Sequence, residues 1–331
     1  MNVKVTDNAG NEITESIALD IDVVNPTVSV SYNDNAAANG KYFGGTRTAT
    51  ITITERKDHF VEPTVYINPE TYPEGDTNCI IIYATDANGD AVTFAPEIVW
   101  NPPVVDENDP DNTVYTASIL YDADANYTFE IKVMDKATNQ NTAVNTGASV
   151  APYEFVVAKV APTGSVSILT NTWDTLLDAL TFGLFSNEKF EVVTSASDKT
   201  SPIKIEYYKV TNDYATTPLT WAQLDAVTDW TLVVDNGENE VKDLSVLTVE
   251  NDEQFVVYLK ISNYAGGYTY ISTDGAIVDT TNAAIELTPS APAADNGDTD
   301  VYGYYNDDVT VNIKVTDAAP YSGIKTVEYW V

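Results

Sequence analysis

Apolar and polar residues alternate along much of this chain with a period of two, which is typical of half-buried β-strands. The runs predicted to be strands are rich in Thr, Val, Ile and Tyr, residues enriched in strands, and many of their positions alternate. These runs are residues 26–32, 48–54, 163–169, 255–261 and 309–315. Gly, Asn, Asp and Pro punctuate the chain between them. The pattern predicts an all-β fold of the sandwich class with mostly antiparallel pairing.

Two short stretches show a helical pattern instead. Thr220 followed by Gln223 three residues later is a capping-box pattern, which predicts a short helix there. Residues 171–185 place four large apolar side chains at helical spacing, and these are Trp173, Leu176, Leu177 and Leu180. The favoured interpretation is a helix that covers one end of a sandwich, with a ligand groove as the alternative.

One phrase occurs three times along the chain. "KVTDNAGN" begins at Lys4, "KVMDKATN" at Lys132 and "KISNYAGG" at Lys260, so the copies are spaced by 128 residues. The phrase combines an alternating strand with a turn, in which Gly allows a positive φ and Asp or Asn bonds its own backbone. A second strand follows each turn. The spacing predicts one hairpin at the same place in successive domains.

A second repeated feature is the junction after each hairpin. Pro26 and Pro162 each stand directly before the first strand of a new domain, with almost no linker. These marks predict a tandem array with domains at 25–160 and 161–280. Residues 1–24 are expected to be the C-terminal hairpin of a preceding domain, and residues 281–331 the N-terminal part of a following one. We therefore expect this chain to be a segment of a longer array.

The strand, the Asp-x-Ala-Gly-Asn turn, the next strand and the proline junction resemble the bacterial immunoglobulin-like repeats of large surface proteins, especially those of Gram-positive bacteria. The resemblance implies tandem immunoglobulin-like β-sandwiches, here with short helical insertions. Tyr127 lies where such folds place a corner tyrosine, whereas Phe255 near the matching place cannot make that hydroxyl bond. Proteins of this kind are exported, displayed on the cell wall and used as stalks, adhesins or binders of host molecules. Some bind antibody variable domains.

The composition narrows the possible partners. Fifty acidic residues against 16 basic ones give a net charge of −34, which disfavours nucleic acid and anionic lipid and favours divalent cations. No stretch approaches the roughly 20 apolar residues of a membrane span, so membrane insertion is not expected. A single cysteine, Cys79, allows no intrachain disulfide, and its place in "CIIIYA" predicts a buried strand.

The chain offers little for catalysis. His59 is the only histidine, and it lies in the charged stretch "ERKDHFVEP", where a solvated role is expected. No Ser–His–Asp arrangement, glycine-rich phosphate loop or His/Cys metal motif is evident. We therefore expect no enzymatic activity and no organic cofactor.

Calcium is the one candidate cofactor. Four oxygen-bearing residues occupy positions 1, 3, 5 and 12 of an EF-hand-like loop, and these are Asp86, Asn88, Asp90 and Glu97. Ala91 stands where an EF-hand loop needs Gly, and Asn88-Gly89 between two apolar runs is itself a strong hairpin signal. A plain hairpin is the competing interpretation. Asp122 and Asp124 form a second acidic loop with the same two interpretations.

Two functions compete at this stage. In the first, the chain binds a host protein or glycan, with an antibody variable domain as one candidate; in the second, it is a spacer for a distal binding domain. Both place it outside the cell, on the bacterial surface. Exposed aromatic side chains would favour binding, and the candidates are Tyr42, Phe43, Tyr207, Tyr208, Trp221, Tyr268 and Tyr270. The incomplete domains at the two ends are expected either to be poorly ordered or to associate head to tail between copies of this chain.

Overall fold

The computed structural model divides the chain into two compact units. The described residues are 1–34, 36–71, 73–143, 154–212, 215–290, 305, 307–320 and 322–330. The first unit comprises Met1–Val160 with Lys199–Ser201 and Tyr264–Gly267, and the second comprises Ala161–Asp198, Pro202–Asn263 and Tyr268–Val331. Parts of the predicted segments 25–160 and 281–331, namely 144–153 and 291–304, lie outside the described residues.

The first unit contains a sandwich of two sheets. Its strands are β1 (Asn2–Thr6), β2 (Glu12–Ser16), β3 (Thr27–Tyr32), β4 (Tyr42–Phe43), β5 (Arg47–Arg56), β6 (Thr64–Ile67), β7 (Cys79–Thr85), β8 (Val99–Trp100), β9 (Val104–Val105), β10 (Asn112–Tyr121), β11 (Ala125–Met134), β12 (Gln140–Ala143) and β13 (Glu154–Val157). One sheet has the order β3–β5–β10–β8, and β9 also pairs with β10. The other has the order β4–β13–β11–β7–β6, and β12 also pairs with β11. Pairing is antiparallel except between β13 and β4 and between β6 and β7.

Alternation along β5 sets the core of this sandwich. Every second residue is buried, including Ala49, Ile51 and Ile53, while the intervening threonines are partly exposed. The same parity also buries Arg47 and Glu55 at the two ends of the strand. Two charged side chains therefore lie on the inner face because their positions, and not their chemistry, match the pleat.

Arg47 is accommodated by aromatic rings. Its guanidinium carbon lies 3.7 Å from the ring centroid of Tyr32 and 4.6 Å from that of Phe155. Its Nε donates to the carbonyl oxygen of Asp34 at 2.8 Å. Stacking on ring faces and a hydrogen bond offset part of the desolvation cost of a buried cation.

The predicted corner tyrosine is present in the first unit. Tyr127, on β11, is buried and its hydroxyl donates to the carbonyl oxygen of Ala123 at 2.8 Å. This bond to the backbone four residues upstream is the tyrosine-corner geometry of immunoglobulin-like sandwiches. It fixes the turn that leads into β11.

The repeated turn has one geometry in its first two copies. Asp7 Oδ1 accepts the backbone N–H of Asn11 at 2.8 Å, and Asp135 Oδ1 accepts that of Asn139 at 2.8 Å. In both copies the Asn Nδ2 also donates to the second carboxylate oxygen at 2.8 Å. The Asp and Asn of the phrase therefore close the hairpin by bonding each other and the backbone. The first copy joins β1 to β2, whose residues are all exposed.

The second unit repeats the sandwich plan. Its elements are β14 (Thr163–Ile168), β15 (Asn171–Trp173), β16 (Leu184–Ser186), β17 (Phe190–Ser197), β18 (Ile203–Thr211), α1 (Trp221–Asp225), β19 (Thr231–Val234), β20 (Glu240–Val249), β21 (Glu253–Asn263), β22 (Tyr268–Ser272), β23 (Ala276–Val278), β24 (Ala284–Pro289) and β25 (Val311–Thr316). The two sheets have the orders β15–β14–β17–β20 and β16–β23–β21–β18–β19, and β22 also pairs with β21. β24 and β25 form a separate two-stranded antiparallel sheet whose residues are mostly exposed. The chain is thus all-β, with tandem immunoglobulin-like sandwiches, as the alternation predicts.

One of the two predicted helices is confirmed. Helix α1 has Thr220 as its N-cap, and Thr220 and Gln223 bond each other's backbone as a capping box. The prediction of a helix over residues 171–185 is wrong. That stretch forms β15, an irregular segment and β16, because residues 171–173 pair as a hairpin with the end of β14. Its leucines still pack inward, and Leu180 is buried.

The registers allow the two sandwiches to be compared residue by residue. Thr27 pairs with Thr54, and Thr163, which also follows the junction proline, pairs with Ser197. Thr54 of β5 therefore matches Ser197 of β17. Counting along these two strands from that match aligns Arg47 with Phe190 and Glu55 with Asp198. The repeated phrase matches Asp135 with Asn263.

Candidate functional site

Five aromatic side chains meet on the outer face of one sheet of the second unit. We call them the aromatic shelf, and they are Tyr208, Trp221, Trp230, Tyr268 and Tyr270. Trp221 approaches the ring of Tyr270 edge-on with centroids 4.8 Å apart, and Trp230 stacks on that ring at 5.6 Å. Trp221 nevertheless remains 45% exposed, so a large ring with a fixed position faces solvent.

One carboxylate holds the two shelf tyrosines. Asp225, at the end of α1, accepts the hydroxyl of Tyr268 at 2.9 Å and that of Tyr270 at 3.0 Å on the same oxygen. The hydrogen bond to Asp225 raises the pKa of Tyr268, and burial followed by the same bond raises that of Tyr270. Lys260 Nζ lies 4.8 Å from the ring centroid of Tyr268. The shelf thus combines rings with one acidic and one basic group.

A small apolar core supports the shelf from beneath. It contains the buried residues Leu180, Leu224, Val256 and Tyr258, and Tyr270 belongs to it. The hydroxyl of Tyr258 accepts the backbone N–H of Leu219 at 2.9 Å, which ties the segment before α1 to the sheet. The helix and the 174–182 segment therefore cover the sheet face and leave the shelf at its margin.

The other predicted binding aromatics lie elsewhere. Phe43 is buried in the core of the first unit, and its ring centroid lies 6.2 Å from that of Phe155. Tyr42 is partly buried. Tyr207 points to the opposite face from Tyr208 and packs against the core of the second sandwich. The structure therefore brings together four of the seven predicted residues, those of the shelf.

The predicted calcium loop is a closed turn between β7 and Ala91. Asp86 Oδ1 accepts the backbone N–H groups of Asn88 at 2.8 Å and Asp90 at 3.0 Å, and Gly89 has a φ of +88°. This is the same turn that Asp7 and Asp135 form. Glu97 is exposed further along the chain. Binding of calcium by Asp86, Asn88, Asp90 and Glu97 stays a prediction.

The second acidic loop bonds the end of its own unit. Asp124 Oδ2 accepts the backbone N–H of Val160 at 2.9 Å and of Lys159 at 3.1 Å. The ammonium of Lys159 donates to the carbonyl oxygen of Asp122. The loop therefore fixes the segment that precedes Pro162.

The prediction that His59 is solvated is wrong. His59 is 8% exposed, its Nδ1 lies 2.6 Å from Asp22 Oδ2 and its Nε2 lies 2.7 Å from Asp20 Oδ2. The hydrogen bond to Asp20 raises the pKa of His59, and burial opposes that shift. The segment before the first sandwich supplies both aspartates, so it covers a turn that the sequence places at the surface.

Sequence reasoning missed several members of these clusters. Trp230, Asp225 and Lys260 join the shelf without any local motif, because they come from a loop, a helix end and a strand that meet only in the fold. Glu55 could have been found, because it continues the inward parity of Ile51 and Ile53 along β5.

Comparisons with known proteins add little to this geometry. No protein-family model matches the chain, and no curated protein matches it. A solved structure, described as fibronectin(III)-like modules of Clostridium thermocellum CbhA, is 12% identical over 76% of this chain and 94% of its own, with a TM-score of 0.23. A similarity this low supports no inference, so the fold assignment rests on the strand order above. Within the described residues, no helix has the length and apolar character needed to cross a membrane.

Proposed function

We propose that this chain is a non-catalytic segment of a bacterial surface protein and that its second unit binds a host macromolecule. The observation that carries the proposal is the exposed ring of Trp221, 45% accessible and held edge-on against Tyr270 at 4.8 Å. A cluster of aromatic rings at the surface, as distinct from a singly exposed ring, is a mark of an interaction site.

The chemistry of the shelf suits binding. Trp and Tyr are enriched among the residues that dominate interface energies. The hydroxyls of Tyr268 and Tyr270 are already tied to Asp225, so little side-chain entropy is lost when a partner docks. The same rings could stack on a sugar face or pack against a protein side chain.

The partner class follows from charge and surface. With a net charge of −34, the chain attracts basic partners, does not repel neutral ones, and repels nucleic acid and anionic membranes. A host protein or a glycan fits these limits, and an antibody variable domain is one candidate. We place the protein outside the cell on the bacterial surface, where such partners are met.

The surroundings of His59 support a non-catalytic role. Both ring nitrogens lie within hydrogen-bond distance of carboxylates, at 2.6 and 2.7 Å. An imidazole held in this way cannot reach a substrate as a general base. Among the described residues the histidine therefore supports structure and not proton transfer.

The alternative function is a spacer that holds a distal domain away from the cell wall. The observation in its favour is the connection between β13 and β14, which spans only residues 158–162 and ends in Pro162. Asp124 further bonds the backbone of that connection at Lys159 and Val160. A short, bonded connection is what a spacer needs.

Capture separates the two functions. The immobilised chain is exposed to serum and to mucosal secretions, and in parallel to a glycan array, each in millimolar calcium and in EDTA. Binding predicts a retained host protein or a defined glycan signal. If a chain with Trp221→Ala captures as much partner as the wild type does, the aromatic shelf has no role in binding. If no host protein is retained and no glycan gives a signal, the spacer is the better-supported function.

A further inference from the structure

A compact cluster of ionisable side chains lies at the base of the first sandwich. One oxygen each from Asp22 and Glu55 and a ring nitrogen of His59 lie within 4.8 Å of one another. The three residues come from the segment before β3, from the end of β5 and from the turn after β5. Glu55 and His59 are close in sequence, whereas Asp22 is brought to them by the fold.

One carboxylate oxygen of Glu55 in this cluster has no counterpart among the surrounding protein groups. The residue is 4% exposed, and its Oε1 accepts the backbone N–H of Arg56 at 2.6 Å. Its Oε2 is buried without a hydrogen-bond partner. Leaving a carboxylate oxygen buried and unsatisfied beside the carboxylate of Asp22 is costly, and a cation between them would remove that cost.

The histidine is oriented as a metal ligand would be. Nε2 lies 2.7 Å from Asp20 Oδ2, and Nδ1 faces Asp22 at 2.6 Å. A ligating imidazole usually donates its second N–H to a carboxylate, which fixes its tautomer and its direction. Here Asp20 would take that N–H and leave Nδ1 for a metal.

The second sandwich provides an internal contrast. Asp198, which matches Glu55, accepts a hydrogen bond from Nδ2 of Asn263 at 3.0 Å. Both residues are buried. Asn263 matches Asp135 of the first unit, and Ala158 is the residue that matches Asp22 when the junction prolines are aligned. An amide therefore satisfies the buried acid of the second unit without a cation.

We propose that Asp22, Glu55 and His59 form a binding site for a divalent transition-metal cation of the zinc class, with Asp20 as the carboxylate that positions His59. An imidazole nitrogen with two carboxylate oxygens suits Zn²⁺ and its neighbours. Calcium prefers six to eight oxygen ligands, which this set does not supply. A metal here would join the segment before β3 to the sandwich that follows it.

The geometry requires an adjustment of the carboxylates, because ligand atoms that lie within 4.8 Å of one another do not yet have the spacing of a tetrahedral metal site. Two ligand atoms at about 2.0–2.1 Å from a tetrahedral Zn²⁺ lie about 3.3 Å apart. Nδ1 and Asp22 Oδ2 are 2.6 Å apart, so binding must replace their shared proton and widen the gap by well under 1 Å. The side chain of Asp22 is 3% exposed and lies on the segment before β3, outside any strand.

The single histidine makes a direct test available. The full chain is prepared without a purification tag, with ¹⁵N,¹³C-labelled histidine, so that one set of imidazole signals reports on His59. Zn²⁺ is titrated and the two ring nitrogens are followed by NMR. We expect the Nδ1 signal to move to a metal-bound position and saturate at one equivalent, while Nε2 keeps its proton. The melting temperature should rise with Zn²⁺.

Two variants identify the ligands. Glu55→Gln, nearly isosteric, should weaken Zn²⁺ affinity at least tenfold, and the same change at the exposed Glu107, Glu107→Gln, should leave it unchanged. The proposal is overturned if the imidazole signals do not respond to ten equivalents of Zn²⁺, or respond without saturation. It is equally overturned if Glu55→Gln binds as the wild type does, or if Ca²⁺ alone stabilises the chain with the imidazole unaffected.

Discussion

The first sandwich buries Arg47 at the first inward position of β5. The second sandwich buries Phe190 at the matching position of β17. The neighbours differ in a compensating way. The ring of Tyr32 that stacks on Arg47 is matched by Ile168, and Phe155 is matched by Ala276. The first unit therefore builds an aromatic cage around a cation, and the second fills the same volume with one ring. The same fold tolerates either solution only with its own neighbours.

The largest predicted effect comes from placing an arginine in the second sandwich, where no aromatic cage surrounds it. Phe190→Arg should destabilise the second unit by about 3–5 kcal/mol, because a buried cation would meet neither ring faces nor a matched acceptor. The measurement is denaturant unfolding with hydrogen exchange of β17 and β5 as unit-specific reporters.

Arg47→Met is the matched control. It should cost no more than about 1–2 kcal/mol, since an apolar chain of similar length can replace a caged cation. Wild-type protection of β17 in Phe190→Arg would show that the aromatic cage is not what admits the arginine.

The second contrast lies where each sandwich buries an acid. The first places Glu55 near Asp22 and His59, and the second pairs Asp198 with Asn263 at 3.0 Å. Burial raises the pKa of Glu55, and nearby carboxylates of Asp135 and Asp22 add to that shift. The second unit avoids this repulsion by carrying an amide where the first carries an acid.

Asn263→Asp should therefore destabilise the second unit by about 2–3 kcal/mol at neutral pH, because two buried carboxylates would face each other in place of a hydrogen bond. Urea unfolding measures the change. The double variant Asp198→Asn with Asn263→Asp restores an acid–amide pair and should recover most of the loss. A double variant no more stable than the single one would mean that the pair is not the relevant interaction.

A third contrast is smaller. Tyr127 bonds the carbonyl oxygen of Ala123 at 2.8 Å, whereas Phe255 at the matching place has no hydroxyl. Tyr127→Phe should cost the first unit about 1 kcal/mol, the net value of one buried hydrogen bond. Thermal melting followed by circular dichroism tests this. A melting temperature of Tyr127→Phe equal to that of the wild type would contradict a stabilising role for the corner bond.

Much of the fold follows from alternation alone. The runs around Ile51 and Val166 are strands in which apolar and polar positions alternate, and the repeated phrase locates the hairpin turns. Helix α1 follows from a capping box, a local signal that needs no tertiary context. The stretch 171–185 misleads because leucine spacing alone does not distinguish a helix from a segment that folds over an apolar sheet face.

The sites are less accessible from the sequence. The shelf depends on Asp225 and Trp230 meeting Tyr270 across separate elements, which no spacing encodes. The burial of His59 depends on Asp20 and Asp22, roughly 40 positions away, folding back over a charged turn. The polar residues around His59 predict that it is exposed. It is buried because the segment that carries Asp20 and Asp22 lies over it.

The most direct test of the account asks which unit recognises the partner. Immobilised full chains carrying Trp221→Ala or Trp100→Ala are compared for binding of the captured protein or glycan, after melting curves show that both fold. Trp100, which contacts Phe60 at 5.1 Å in the first unit, is the matched control. We predict at least a tenfold loss of affinity for Trp221→Ala, about 1.4 kcal/mol, and none for Trp100→Ala. Equal affinities, or a loss confined to Trp100→Ala, would contradict binding through the aromatic shelf.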